Sequence, residues 1–117
     1  MATKTYAAIV AGTGHEGRGR RIQAFCRKGT KVKLVREPLN THDRNAIAVF
    51  AQIRVLWGLW KPWHQIGYIK ADRAISWARK IDSGELEFVA AEVTSMDAAK
   101  GRDHPRVSVC VTFKAHG

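Results

Sequence analysis

Residues 36–50, REPLNTHDRNAIAVF, join a polar turn directly to an alternating apolar segment. The apolar side chains alternate between two faces, with Ala46, Ala48 and Phe50 on one and Ile47 and Val49 on the other. A short apolar run of this length directly after a turn predicts a core β-strand. Asp and Asn side chains bond nearby backbone amides in tight turns, so Asp43 and Asn45 are expected to shape the turn that precedes it.

A second strand is predicted immediately upstream, in KVKLVREP at residues 31–38. Here Val32 and Leu34 alternate with Lys31 and Lys33, a pattern that predicts a strand with one wet, basic side. Pro38 has no amide hydrogen for a strand ladder and is expected to end it.

The elements further out are predominantly strands. Strands are predicted in TYAAIVAG (5–12), in AQIRVLWGLWKPWHQIGYI (51–69, with an aromatic-rich hairpin connection), in ELEFVAAEV (85–93) and in PRVSVCVTF (105–113). KADRAISWARKIDSG (70–84) predicts a helix with an apolar stripe of Ala71, Ala74, Ile75, Ala78 and Ile81, ended by a cap at Gly84. A second short helix is predicted in residues 19–31, closed by Gly29.

These elements predict a single domain over residues 1–117, of the mainly β class. The expected architecture is a small, OB-like, partly open antiparallel β-barrel with one or two short α-helices, because strands outnumber helices and do not alternate with them.

The charge of the chain favours a polyanionic partner. Twenty Lys and Arg residues against ten Asp and Glu give a net charge of +10 and a pI near 10.2. Eight of the basic residues lie between Thr13 and Arg36, where Glu16 is the one acidic residue. A basic domain that is merely soluble, or that binds acidic proteins, is the alternative.

Cysteine usage and hydropathy indicate where the protein works. Two cysteines, Cys26 and Cys110, are too few for a disulfide framework. The apolar start of the chain is too short for a signal peptide or a membrane span. We therefore expect a cytoplasmic protein in a reducing environment, with no membrane partner.

Two motifs, VREPLNTHDRNAIAVF at residues 35–50 and IGYIKADRAISWARKIDSGE at residues 66–85, resemble the HIRAN domain. That family is found at the front of Swi/Snf-type fork-remodelling helicases and as free-standing modules in bacteria and phages. Its pattern has Arg-(Glu/Asp)-Pro, an Asn, and an aromatic-Asp pair followed by Asn-Ala-(Ile/Val), and later (Ile/Val)-Gly-(Tyr/His)-(Ile/Leu) before a helix. The counterparts in this chain are Arg36, Glu37, Pro38, Asn40, Asp43, Asn45, Ala46 and Ile47, then Ile66, Gly67, Tyr68 and Ile69.

The resemblance implies an OB-like barrel that binds single-stranded DNA without catalysing a reaction and without a cofactor. In the remodeler branch the free 3′-hydroxyl end is preferred, and the motif Asp accepts a hydrogen bond from that hydroxyl. By this correspondence Asp43 is the candidate for the end hydroxyl. His42 stands where the family usually has Tyr, and its smaller ring is expected to stack less strongly on a base.

The candidate DNA-binding residues are Arg18, Arg20, Arg21, Lys33, Arg36, His42, Asp43, Tyr68 and Lys70. Several have a structural alternative. Asp43 could serve only the turn, Arg36 could pair with Glu37 or Asp43, and Tyr68 could pack in the core with a wet hydroxyl. A chain of this length is expected to have no motor, so a separately encoded helicase or nuclease is the expected protein partner, in repair, replication restart or phage defence.

Two other functions compete with DNA binding. Trp57, Trp60 and Trp63, around Pro62, could form a protein-interaction patch. These three tryptophans and Trp77 could instead stack on bases, although a tryptophan of a small domain is most often a core or interface residue. A metal-dependent nuclease would draw on His15, Glu16, His42, Asp43, His64, Asp103 and His104. None of these residues forms a recognisable ligand pair on one helix or strand, and "HE" at 15–16 lacks the second His of a zinc motif.

Overall fold

The computed structural model describes residues 2–12, 26–54, 56–97 and 106–116. The strands are β1 (Ala2–Ala11), β2 (Lys31–Arg36), β3 (Ile47–Gln52), β4 (Trp63–Ile69), β5 (Leu86–Asp97) and β6 (Arg106–Ala115). One α-helix, α1 (Ala71–Ser83), lies between β4 and β5, and a short 3-10 turn, Leu56–Gly58, lies between β3 and β4. The sequence predicts the same order of strands and the helix at residues 70–84, whereas β1 begins earlier and β5 extends further than their patterns indicate.

The strands form a closed barrel in the order β1-β4-β3-β2-β5-β6. Every pairing is antiparallel, so the prediction of a small antiparallel barrel is confirmed. The barrel is closed rather than partly open, through two short ladders. In one, Val10 of β1 lies opposite Ile69 of β4; in the other, Lys31 of β2 lies opposite Glu92 of β5.

The interior of the barrel is filled by alternate side chains, as the period of two predicts. Along β6 the side chains of Val107, Val109, Val111 and Phe113 are fully buried. The ring of Phe113 meets Trp77 of α1 edge-on, with the ring centroids 5.2 Å apart. The helix therefore covers the core beside Phe113 with an aromatic contact, which stabilises the fold in addition to the burial of apolar surface.

The apolar stripe predicted for α1 is wrong in two positions. Ile75 is 58% exposed, and Ala71 is exposed as well. The buried residues are Ala74, Trp77 and Ala78. The large indole of Trp77, 3% exposed, sets the rotation of the helix, because burying it removes more apolar surface than burying Ile75 would.

Glycines end the helix and permit the barrel to close. Gly84 has φ +84° and donates its amide hydrogen to Ile81, so the predicted C-terminal cap is confirmed. Gly67 of β4 lies directly against β1, where an added Cβ would collide with the carbonyl oxygen of Ala11 and the side chain of Val10. Any larger residue at position 67 would push β4 off β1.

Residues 19–25 of the helix predicted at 19–31 lie outside the described residues. The prediction is wrong for the remainder: Cys26–Thr30 forms a turn in which Gly29 has φ +92°, and Lys31 begins β2. The amide hydrogen of Gly29 is donated to Val93 of β5, and Val93 donates to Thr30 in return. These two bonds attach the turn to the barrel.

No helix in the described part of the chain is long and apolar enough to span a membrane.

We predict that Gly67→Ala destabilises the protein more than Gly84→Ala does. The first change adds a backbone clash and should lower the free energy of unfolding by about 3 kcal/mol. The second has open space around its new Cβ and only the cost of positive φ, about 1 kcal/mol. Urea unfolding of both variants measures these changes. Equal losses of unfolding free energy would contradict the close approach of Gly67 to β1.

We predict that the two cysteines differ sharply in reactivity. Burial raises the pKa of the Cys26 thiol from 9.0 to about 11, which leaves about 100-fold less thiolate at pH 8. Cys110 is half-buried and faces outward. A thiol-reactive chromophore should therefore label one cysteine of the folded protein quickly, and both only after denaturation. Cys110→Ser should abolish the fast reaction, and fast labelling that survives this change would contradict the burial of Cys26.

Candidate nucleic-acid interface

The turn between β2 and β3, residues 37–46, is built by its own polar side chains. Asn40 Oδ1 accepts the amide hydrogens of His42 and Asp43, at 2.9 and 3.0 Å. Asp43 Oδ1 accepts the amide hydrogen of Asn45 at 2.9 Å. The amide hydrogen of Ala46 is donated to the Asp43 carbonyl, so the chain enters β3 already hydrogen-bonded. This explains why the polar run lies so close to a core strand.

Glu37 joins this turn to β4. Its Oε1 accepts hydrogen bonds from Asn40 Nδ2 at 2.9 Å and from the Tyr68 hydroxyl at 3.0 Å. Tyr68 therefore lies beside the turn, although it is 31 positions from Glu37 in the chain. This role of Glu37 was not predicted from the sequence, although its place in the Arg-Glu-Pro motif was a signal for it.

Arg36 holds the turn against the helix. Its guanidinium makes a two-pronged contact with the Asp82 carboxylate, at 2.9 and 3.1 Å, and donates a third hydrogen bond to the Ala46 carbonyl at 3.0 Å. Its side chain is 15% exposed. The alternative in which Arg36 pairs with Glu37 or Asp43 is wrong, because its carboxylate partner is Asp82.

The predicted residues His42, Asp43, Tyr68 and Lys70 come together at this end of the barrel. Asp43 and Tyr68 are half-buried in the hydrogen-bonded network, and His42 is exposed at its rim. Lys70 is exposed two residues beyond Tyr68, and its amide hydrogen is donated to Ile9 of β1 where α1 begins. Arg18, Arg20 and Arg21 lie outside the described residues.

Lys33 does not lie with this group. Its ammonium sits over the ring of Trp63, 4.8 Å from the ring centroid, on the outer face of the barrel. Of the four tryptophans, Trp77 is in the core, whereas Trp57, Trp60 and Trp63 are exposed.

The metal-site candidates do not assemble in the described part of the chain, where no group of three His, Cys, Asp or Glu side chains could hold a metal ion. His15, Glu16, Asp103 and His104 lie outside that part. His42, Asp43 and His64 are therefore not members of a described metal site.

We predict that Arg36 and Asp82 are energetically coupled. A bidentate, charge-assisted contact of this kind, half-exposed on the Asp82 side, should contribute about 1 kcal/mol. A double-mutant cycle with Arg36→Gln and Asp82→Asn measures that coupling as the non-additive part of the change in unfolding free energy. Arg36→Lys should lose most of it, since an ammonium cannot make the two-pronged contact. Fully additive single losses would contradict the pairing.

Comparisons with known proteins agree with this fold. Two solved structures have the same fold: the HIRAN domain of human HLTF (TM-score 0.60, 18% identity, covering 93% of this chain and 74% of that one), and a protein from Lactobacillus plantarum (TM-score 0.66, 24% identity, covering 97% of this chain and 98% of that one). The comparison with curated proteins gives no match. The model of the HIRAN domain matches residues 5–114. This chain belongs to the HIRAN family.

Proposed function

We propose that this chain is a non-catalytic module that binds single-stranded DNA and holds a free 3′-hydroxyl end at the turn of residues 37–46. HIRAN domains are DNA-binding modules, and the net charge of +10 suits such a partner. The observation that supports the end site most directly is the network that places Asp43, His42 and Tyr68 around one fixed turn.

The chemistry of end recognition rests on Asp43. Its Oδ1 accepts the Asn45 amide hydrogen, which orients the carboxylate. Its Oδ2 accepts no hydrogen bond from any described residue and would be the acceptor for the terminal hydroxyl. A carboxylate accepts a hydrogen bond from a 3′-hydroxyl but repels a 3′-phosphate, and this difference selects the free end.

The remaining contacts follow from side-chain type and position. His42, exposed at the rim of the turn, is placed to stack on a terminal base. Lys70, together with Arg18, Arg20 and Arg21 of the segment after β1, would bind phosphates. Arg36 supports the site by holding the turn to Asp82, rather than by binding a phosphate itself.

In the cell, the module would deliver a DNA end to a separately encoded helicase or nuclease in the cytoplasm of a bacterium or of a phage-infected cell, as in repair. The DNA chemistry would belong to that partner.

A second candidate function is protein binding through the exposed segment of Trp57, Leu59 and Trp60. These three large apolar side chains are mostly or fully exposed within four residues. Exposed apolar surface of this kind often marks a protein contact. This function alone predicts no salt-dependent binding of DNA.

The test compares a short fluorescent strand ending in a 3′-hydroxyl with the same strand ending in a 3′-phosphate, by fluorescence anisotropy. Wild type should bind the hydroxyl end about tenfold more tightly, since a hydrogen bond to a charged group is gained and a repulsion avoided. Asp43→Asn keeps the side-chain oxygen that shapes the turn but removes the charge, so it should reduce the preference to about twofold or less.

Glu85→Gln is the matched control, because it removes the same charge from an exposed residue next to the C-terminal cap of α1. It should leave the preference for the hydroxyl end unchanged. Equal binding of both ends by wild type would reject end recognition, and absence of DNA binding would favour the protein-binding function.

A further inference from the structure

A strongly basic recess lies at the end of the β2–β3 pair that is opposite to the turn of residues 37–46. We call it the basic recess; it has a volume of about 440 Å³ and is lined by Arg27, Lys28, Gly29, Thr30, Lys31, Gln52 and Arg54. Four of these seven side chains are cationic and none is acidic. A concave surface with this excess of positive charge attracts anions.

The basic recess continues into a second concavity on the outer face of the barrel. This outer groove has a volume of about 510 Å³ and shares Gly29 and Lys31 with the basic recess. It forms where β2 and β5 separate, because their ladder pairs Val32 with Ala91 at its last position. Beyond that pair, Lys33 of β2 and Val89 of β5 lie on opposite sides of the groove.

The outer groove offers an aromatic face next to a cation. Trp63, 36% exposed, lines it together with Cys110 and Thr112 of β6. Lys33 Nζ lies 4.8 Å from the Trp63 centroid and 5.8 Å from that of Phe50. The ring is therefore held by a cation–π contact while part of its surface stays open. Among the residues that the structure describes, Glu92 is the one carboxylate that lines either concavity.

The two concavities are separate from the end site. Lys31 begins β2 in the basic recess, and Arg36 ends it at the turn. These two residues are about 17 Å apart along an extended strand. A single strand of DNA whose 3′ end is held at Asp43 could reach the basic recess only if it extends for several further nucleotides.

We propose that the basic recess and the outer groove bind an internal segment of single-stranded nucleic acid, with phosphates at Lys28 and Arg54 and a base stacked on Trp63. This inference rests on the proposed DNA-binding function and extends it. A cationic track beside an exposed aromatic ring is the combination that holds unpaired nucleotides, since every base has a face to stack. Duplex DNA offers no unstacked base to Trp63.

The test uses two fluorescent strands with 3′-hydroxyl ends, of about 4 and about 16 nucleotides, which span the usual site sizes of OB folds. The variant Lys28→Gln/Arg54→Gln removes two exposed cations that bond no other described side chain. It should weaken binding of the long strand by about 10- to 30-fold at 0.1 M salt and make the slope of log K against log salt shallower by about 1.4. Binding of the short strand should be unchanged.

Arg79→Gln/Lys114→Gln is the matched control, because it removes two exposed cations from α1 and β6, outside both concavities. It should have little effect on the long strand. Trp63→Ala should weaken binding of the long strand about fivefold or more, because stacking is lost, and should leave binding of the short strand unchanged. If the two double variants lose the same affinity for the long strand, the binding is general electrostatic attraction and the proposed site is wrong.

Cys110 provides a second readout in the wild-type protein. Because it lines the outer groove, a bound long strand should slow its reaction with a thiol reagent, whereas the short strand should not. If a saturating concentration of the long strand leaves the labelling rate of Cys110 unchanged, the proposal is contradicted. If the short strand binds with a preference for the 3′-hydroxyl end and the long strand binds no more tightly, the proposed site in the basic recess and the outer groove is wrong, whereas the end site remains supported. If neither strand binds, the proposed DNA-binding function itself is wrong. Labelling slowed by an acidic peptide but not by DNA would identify an acidic protein as the occupant and overturn the proposal.

Discussion

The contact of β4 with β1 at Gly67 is the constraint on which the rest of this structure depends. With no Cβ at that position, the backbone of β4 lies directly against Ala11 and the barrel closes. Tyr68, the next residue, pairs with Ala11 across this contact and with Ala48 of β3, and it lies beside the turn of residues 37–46, where its hydroxyl reaches Glu37. Closure also brings Lys70 to β1, and α1 begins from that contact. The core and the candidate end site therefore depend on the same close approach.

The turn between β2 and β3 uses the same residues for shape and for chemistry. One Asp43 oxygen orders the backbone into β3, and the other is proposed to meet the DNA end. Arg36 and Glu37 attach the turn to α1 and to β4, respectively. Because the turn is held from several sides before any ligand arrives, little ordering is left for the binding step, which favours affinity.

The local elements could be predicted from the sequence because they depend on local periodicity. The alternation in KVKLV and NAIAVF and the glycine after α1 each identified an element that the structure contains. The rotation of α1 could not be predicted, because whether Ile75 or Trp77 faces inward depends on Phe113 in a distant strand. Closure of the barrel through ladders as short as Val10–Ile69 likewise has no signature in local sequence.

The candidate site was predictable in part. The motif identified the turn, Tyr68 and Lys70, which the structure brings to one end of the barrel. It could not assign the partner of Arg36, since Asp82 is 46 positions away and its contact depends on how α1 docks. The basic recess was missed for a similar reason: Lys28 and Arg54 belong to separate segments that meet only because β2 and β3 pair.

The most direct test of DNA capture at this turn is a two-dimensional amide NMR titration with a short single strand that ends in a 3′-hydroxyl. We predict that the largest shifts occur at the amides of His42, Asp43 and Asn45, and that smaller shifts occur at Tyr68 and Lys70. Shifts confined to Trp57, Leu59 and Trp60, with the turn unaffected, would contradict it.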